Sequence, residues 1–308
     1  MLEKLKNMTK KQKIISAIVA GVILIAIIVV VALLVGGKKA EPDGVSDVLL
    51  PELEEPIEKE EPLDVVASLS DRKKSLEDAK SVNDKAYMWL SIPGTDIHYP
   101  VIYDSENNNM YWERRNLEGE EVASSFEEVV QSVVYASYKT IFDADASKNI
   151  VLYGHNWNNV DSPFIIGKDP AYTMFAQLPS FTDIDFARKY QYIYTNTEDT
   201  EEVWQIFSVM YTESRWPDEI GVQYIEENPD SAQQATLIQE MKDRSIFDYD
   251  ISVNPDDKIL TLSTCTRYYM SAGDAQRYVV VAKRLNSGDK KDNPCEVTVN
   301  EDVKSPAF

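Results

Sequence analysis

The sequence predicts a mainly β, mixed α/β fold, a closed barrel with few helices rather than a doubly wound sheet. Three observations predict it. Short runs rich in Val, Ile, Tyr and Thr recur from residue 97 to residue 284, the composition that pleated surfaces favour. Only a few helical stretches interrupt them. No regular strand–helix alternation appears, as a parallel doubly wound sheet would need.

The strands are expected at 97–103 (IHYPVIY), 138–142 (YKTIF), 149–154 (NIVLYG), 190–195 (YQYIYT), 202–211 (EVWQIFSVMY), 258–265 (KILTLSTC) and 277–284 (RYVVVAKR). One or two helices are expected over 68–88, ahead of the first strand. Another is expected over 124–136 (SSFEEVVQSVVYA). A third follows Pro229, where Asp230 or Ser231 caps the first turn and Leu237, Ile238 and Met241 share a face.

The ends of the chain read differently. Five lysines (Lys4, Lys6, Lys10, Lys11, Lys13) precede a stretch from Ile14 to Val35 without a charge. About 20 apolar residues span a hydrocarbon core of about 30 Å, and a cleaved leader has a shorter apolar stretch with a small-residue cleavage site. The expectation is therefore a single-pass cell-membrane protein with residues 1–13 cytoplasmic, 14–35 as anchor and the folded domain extracellular. Residues 36–67 are acidic and carry Pro42, Pro51, Pro56 and Pro62, which describes an extended, self-repelling linker. The folded domain is expected over 68–286, with a loose polar tail over 287–308.

Charge and composition exclude several classes. The 308 residues hold 31 Lys and Arg against 52 Asp and Glu, a net charge of −21. Nucleic-acid binding, which needs a basic face, is excluded on that balance. No cofactor and no metal site is expected. Two histidines offer no zinc pattern. The calcium-loop-like run from Asp143 has Lys148 where a glycine belongs and Gly154 where a glutamate belongs.

The same scarcity sharpens the search for chemistry. There are two cysteines, Cys265 and Cys295, and two histidines, His98 and His155. Cys265 ends one apolar strand and His155 follows another, where rigid scaffold meets loop. A thiol attacks a carbonyl as thiolate and needs a neighbouring base or positive charge. Arg277 opens the strand after Cys265; if those strands are neighbours, its guanidinium lies near the thiol and can hold an oxyanion. Each residue also has a plainer reading: Cys265 as a small core side chain, His155 as a surface group, Arg277 as an ion-paired edge residue. A Cys265–Cys295 disulfide is a further alternative.

Four blocks, in order, resemble the sortase family. They are WLSIPGTDIHYPV at 89–101, NIVLYGHN at 149–156, TLSTC at 261–265 and RYVVVAKR at 277–284. The lead-in helix and the helix before KILTLSTC are most similar to class B. The resemblance implies a closed eight-stranded barrel with a groove leading to a nucleophilic cysteine. It implies His155, Cys265 and Arg277 as catalytic residues, and Ser263, Thr264 and Arg277 in contact with substrate. The implied reaction cleaves a C-terminal sorting motif similar to LPxTG or NPxTN on a secreted surface protein. The acyl group then passes to an amine of a peptidoglycan precursor or of a pilin. A hydrolytic cysteine peptidase and a non-catalytic anchored wall or adhesion domain are the rival readings. The chain departs from the family pattern at His98, at Trp157 and in a longer 117–137 link.

Overall fold

The computed structural model describes residues 66–122, 131–142, 146–214, 223–269, 276–286, 288–289 and 293–306. Within them the chain runs α1 (Leu69–Val82), β1 (Ala86–Ser91), β2 (His98–Ile102), α2 (Asn109–Trp112), β3 (Val134–Ala136) and β4 (Asn149–Tyr153). A 3-10 turn (Leu178–Thr182) and α3 (Ile184–Lys189) lead to β5 (Tyr192–Asn196) and β6 (Glu201–Glu213). Then come α4 (Ser231–Arg244), β7 (Phe247–Tyr249), β8 (Ile259–Cys265), β9 (Gln276–Arg284) and β10 (Val297–Val299). Eight strands close a barrel in the order β1-β2-β3-β4-β8-β9-β6-β5, and β5 returns to pair with β1.

Alternation along the strands sorts side chains into two environments. Leu260, Leu262, Val280 and Ala282 point into the barrel with Leu90, Ile193 and Trp204. Ile259, Val279 and Val281 point outward and pack under Leu237, Ile238 and Met241 of α4. On β6 the two sets change parity: Ile206 then Val209 and Tyr211 face the interior, while Phe207 and Met210 face α4. The change is made by a register shift between Ile206 and Ser208, since one extra residue in a strand flips every side chain after it.

α4 starts in a capping box. The Asp230 carboxylate accepts from the Ala232 and Gln233 amides, and the Gln233 side chain accepts from the Asp230 amide. The helix is fixed to the barrel where Ser208 Oγ donates to Met241 O at 2.6 Å. α1 is held by Arg72, which is buried and ion-paired with Glu201.

Four local expectations change. Residues 86–88, expected with the helices over 68–88, open strand β1. Val134–Ala136, read as the end of a helix, is strand β3, parallel to β2 and antiparallel to β4; residues 123–130 lie outside the described residues. The 138–142 run is a turn, not a strand, closed by Thr140 N donating to Ser137 O. The segment read as a loose tail supplies β10, which pairs antiparallel with β7.

The localisation expectation is also corrected. Among the described residues no helix is long and apolar enough to cross a membrane. The Ile14–Val35 stretch that carried the single-pass reading lies outside the described residues, and the described structure gives that reading no support.

Asp230→Ala removes the cap of α4 without touching the barrel. Urea unfolding of this variant is expected to show a loss of about 1 kcal/mol. An unchanged midpoint would mean that α4 is held by its packing alone.

Candidate active site

Three strands bring the chemistry to one level. β4 and β8 run parallel, with Tyr153 beside Ser263. Two residues on along each strand are His155 and Cys265, so continuing that register sets them level. β8 and β9 run antiparallel, and there Cys265 is the direct partner of Arg277. Cys265 shares the parity of Ile259, and Arg277 that of Val279. Both therefore stand on the outer face of the barrel. This face is the floor of a cleft of about 60 Å³ lined by His155, Cys265, Arg277, Ser263, Thr264 and Glu113, among others.

Local contacts hold that floor. The Thr264 hydroxyl donates to Gly154 O at 2.7 Å, and Asn156 Nδ2 donates to Cys265 O at 3.1 Å. The strand ends on either side of the cleft are thereby tied to each other. Below Cys265, the Ser263 and Tyr224 hydroxyls are 2.9 Å apart in a hydrogen bond. Both hydroxyls that the sequence pointed to, Ser263 and Thr264, thus line the cleft while bonded within the protein. Beyond Cys265, Tyr268 stacks on Tyr211 with ring centroids 4.4 Å apart, which pins the start of the β8–β9 connection.

His155 sits half-buried with its ring 5.9 Å from that of Trp157. Its Nε2 donates to the Glu113 carbonyl at 2.6 Å. A carbonyl only accepts, so this contact places a proton on Nε2. Burial holds the imidazole below its ordinary pKa, the Glu113 carbonyl and carboxylate push it back up, and the Arg114 and Arg277 cations push it down. The neutral ring is the favoured form near neutral pH. Tyr135 and Tyr153, also at the cleft, have their phenols pushed far up by burial and stay protonated.

Cys295 is elsewhere. No disulfide joins it to Cys265. Its backbone N–H and C=O are both bonded to the Gln191 side chain, and burial raises its thiol pKa. His98 lies in β2 opposite Ser91, outside the set that lines the cleft.

A family model described as the sortase domain matches residues 90–285. The chain belongs to the sortase family. Membership carries the family's cysteine-transpeptidase chemistry, and the similar proteins are of class B. The chain is 27% identical to sortase B of Listeria monocytogenes serovar 1/2a over 191 residues, 62% of this chain and 66% of that protein. It is 26% identical to sortase B of Staphylococcus aureus over 210 residues, covering 67% of this chain and 73% of that one. In three dimensions it is similar to Clostridium perfringens sortase B. There the TM-score is 0.53 at 25% identity, with 68% of this chain and 99% of that chain covered. The class B sortase resemblance and the closed eight-stranded barrel are both borne out.

Glu113 and Tyr135 escaped the sequence reading because they reach the site from segments far away in the chain, while Tyr153, two residues before His155, carried no chemical signal of its own. Asn156, directly after His155, was visible but carried no chemical signal of its own.

Two outcomes follow from this geometry. A titration of His155 followed by NMR is expected to have its midpoint below the ordinary 6.5. In Arg277→Gln the midpoint rises, since a cation that opposes protonation has been removed. A midpoint unmoved by Arg277→Gln would place the guanidinium away from the ring. Gly154→Ala would bring a Cβ to 2.7 Å from the Phe175 ring. Overpacking of this kind costs about 1–3 kcal/mol, and a lower Tm together with lower activity is the expected result.

Proposed function

We propose that this chain is a sorting transpeptidase in which the Cys265 sulfur carries the acyl group. The observation that supports it most directly is the register of three neighbouring strands, which sets Arg277 opposite Cys265 and His155 level with it. Each strand alone admits a plain structural reading. Together they assemble a nucleophile, a proton carrier and a cation in one cleft.

In this reading the thiolate attacks the carbonyl of the threonine in a C-terminal sorting motif similar to LPxTG or NPxTN. The carbonyl π pair moves onto oxygen, and the Arg277 guanidinium meets the developing charge. Collapse of the tetrahedral adduct breaks the C–N bond, and His155 protonates the departing amine. A thioester on Cys265 remains. A second amine, from a peptidoglycan precursor or from a lysine of another protein, gives its proton to His155 and takes the acyl group, restoring the thiol. Two acyl transfers replace one direct amide exchange. The cleft is too small to enclose a peptide, so the motif crosses the partly open strand ends at Tyr153, Cys265 and Arg277, with only its reacting carbonyl over the sulfur. Contact of Ser263 and Thr264 with substrate belongs to this proposal.

The full chain is to be incubated with a panel of sorting peptides, with and without an added amine, and its products and intact mass measured. Wild type is expected to cleave at least one motif, gain the mass of the acyl fragment, and form an amide product when amine is present. Cys265→Ala is expected to do none of these. Arg277→Gln is expected to lose about a hundred- to a thousandfold in kcat. Equal turnover by wild type and Cys265→Ala would remove the nucleophile assignment, and products of hydrolysis alone at saturating amine would make the enzyme a peptidase.

A further inference from the structure

The segment between β2 and β3 has no chemistry of its own in the sequence, yet it is the segment that touches the imidazole. We propose that Glu113 is a positioning residue for the acyl transfer: its backbone carbonyl fixes the His155 proton on Nε2, so that Nδ1 is the nitrogen that exchanges protons with the thiol and the amines. The assignment rests on the acyl-transfer reading above and adds to it the direction in which the ring works.

The contact is short and its chemistry one-sided. Nε2 lies 2.6 Å from Glu113 O, and an amide oxygen has no proton to give. Glu113 stands at the C-cap of α2 with φ −54 and ψ −31. A carbonyl at the end of a helical turn has lost its next N–H partner, and here the imidazole takes that place. The ring carries its Nε2 proton throughout the cycle. Nδ1 receives the thiol proton as the thiolate forms, and passes it to the nitrogen that leaves when the C–N bond breaks.

A carbonyl can orient a ring only if the loop bearing it is itself held. Trp112, next in sequence, is buried, and its Nε1 donates to Asp104 Oδ2 at 3.2 Å. On the other side, the Arg115 guanidinium lies 4.0 Å over the Tyr111 ring. It donates to Tyr111 O at 3.1 Å and to Gly119 O at 2.7 Å. The backbone of Arg115 pairs with Glu121, and Arg115 O accepts from Val133 N just before β3. Glu113 therefore sits between two anchored neighbours, one tied to β2 and one to β3. Its carboxylate adds a second, separable effect, since a negative charge near the ring favours the imidazolium.

The test uses the full chain labelled with 15N-histidine. With only two histidines in the sequence, His98→Gln assigns the His155 signals. Above neutral pH, Nε2 is expected to give the protonated, pyrrole-type signal and Nδ1 the pyridine-type signal. The reverse pattern overturns the proposal whatever the variants do. Glu113→Gln keeps the carbonyl and loses the charge: the tautomer is expected to stay, while the titration midpoint and the acid limb of kcat move to lower pH. Arg115→Ala loosens the loop. It is expected to mix the two tautomers and to lower kcat about ten- to a hundredfold with little change in KM, its Tm being checked in parallel. A folded Arg115→Ala protein with unaltered tautomer and kcat would show that the loop does not position the ring. The two readings fail separately. An active Cys265→Ala ends the acyl-transfer reading without changing the 15N pattern, and an Nδ1–H ring in an enzyme that needs Cys265 ends only the role of Glu113.

Discussion

The register of β8 between its two neighbours is the constraint on which the site depends. β8 is flanked by β4 running parallel and β9 running antiparallel, and all but the last of its residues are buried. A slip of one residue would turn Cys265 into the barrel and bring Thr264 out. Apolar alternation sets the register coarsely, since Leu260 and Leu262 fill the interior. Polar side chains set it finely. Thr261 Oγ1 donates to Asn149 Oδ1 at 2.7 Å, and Asn149 Nδ2 donates to the carbonyls of Tyr224 and Glu226. These groups are buried, so a shifted register would leave each without a partner, at a cost of about 1–3 kcal/mol per group.

The cleft sets cations beside the Glu113 carboxylate in an acidic protein. A chain with a net charge of −21 places Arg277 across the ladder from its thiol and Arg114 within electrostatic range of its imidazole. Phenols that burial keeps protonated cover the remaining side. A neutral ring beside a fixed cation suits proton exchange without a large static charge. The guanidinium meets whatever negative charge forms on sulfur or on the carbonyl oxygen.

How much of this was legible in the sequence follows from where each signal resides. Strands β4, β8 and β9 were visible because a strand buried on both faces reads as a continuous apolar run; β4 runs on to His155, β8 ends at Cys265 and β9 carries Arg277 at its start. β3 was read as helix because Phe126, Val129, Val130, Val133 and Val134 recur at helical spacing; a strand of three residues gives a periodicity argument too little length to compete. The 138–142 run looked like strand by composition, yet Thr140 and Ser137 close a turn, and the Tyr103 hydroxyl donates to Thr140 O. β10 lies in a polar stretch and acquires strand geometry from its partner β7, a preference imposed by tertiary contact. Glu113 was invisible for a deeper reason. It acts through its main chain, and no residue type announces a carbonyl that is left for a distant imidazole.

The helix before the nucleophile strand acts on the site through β6. Ser208 donates to Met241 O, and Ser245 Oγ at the end of α4 accepts from Val209 N at 3.1 Å. The same strand pairs along its length with β9, ending with Thr212 beside Arg277 and Glu213 beside Gln276. α4 therefore fixes β6, β6 fixes β9, and β9 presents the guanidinium. At the far end β10 adds to this frame from outside the barrel. Asn300 Nδ2 donates to Ser245 O, Lys304 ion-pairs with Glu240, and Arg188 donates to Val297 O. The C-terminal segment is thus fastened to the end of α4 and to α3, away from the cleft. Rigid contacts accumulate beneath and behind the reacting groups, while the partly open strand ends at Tyr153, Cys265 and Arg277 are where a peptide has access. An acyl-transfer site needs that division, because the cation and the imidazole must hold their places while two different chains approach the sulfur in turn.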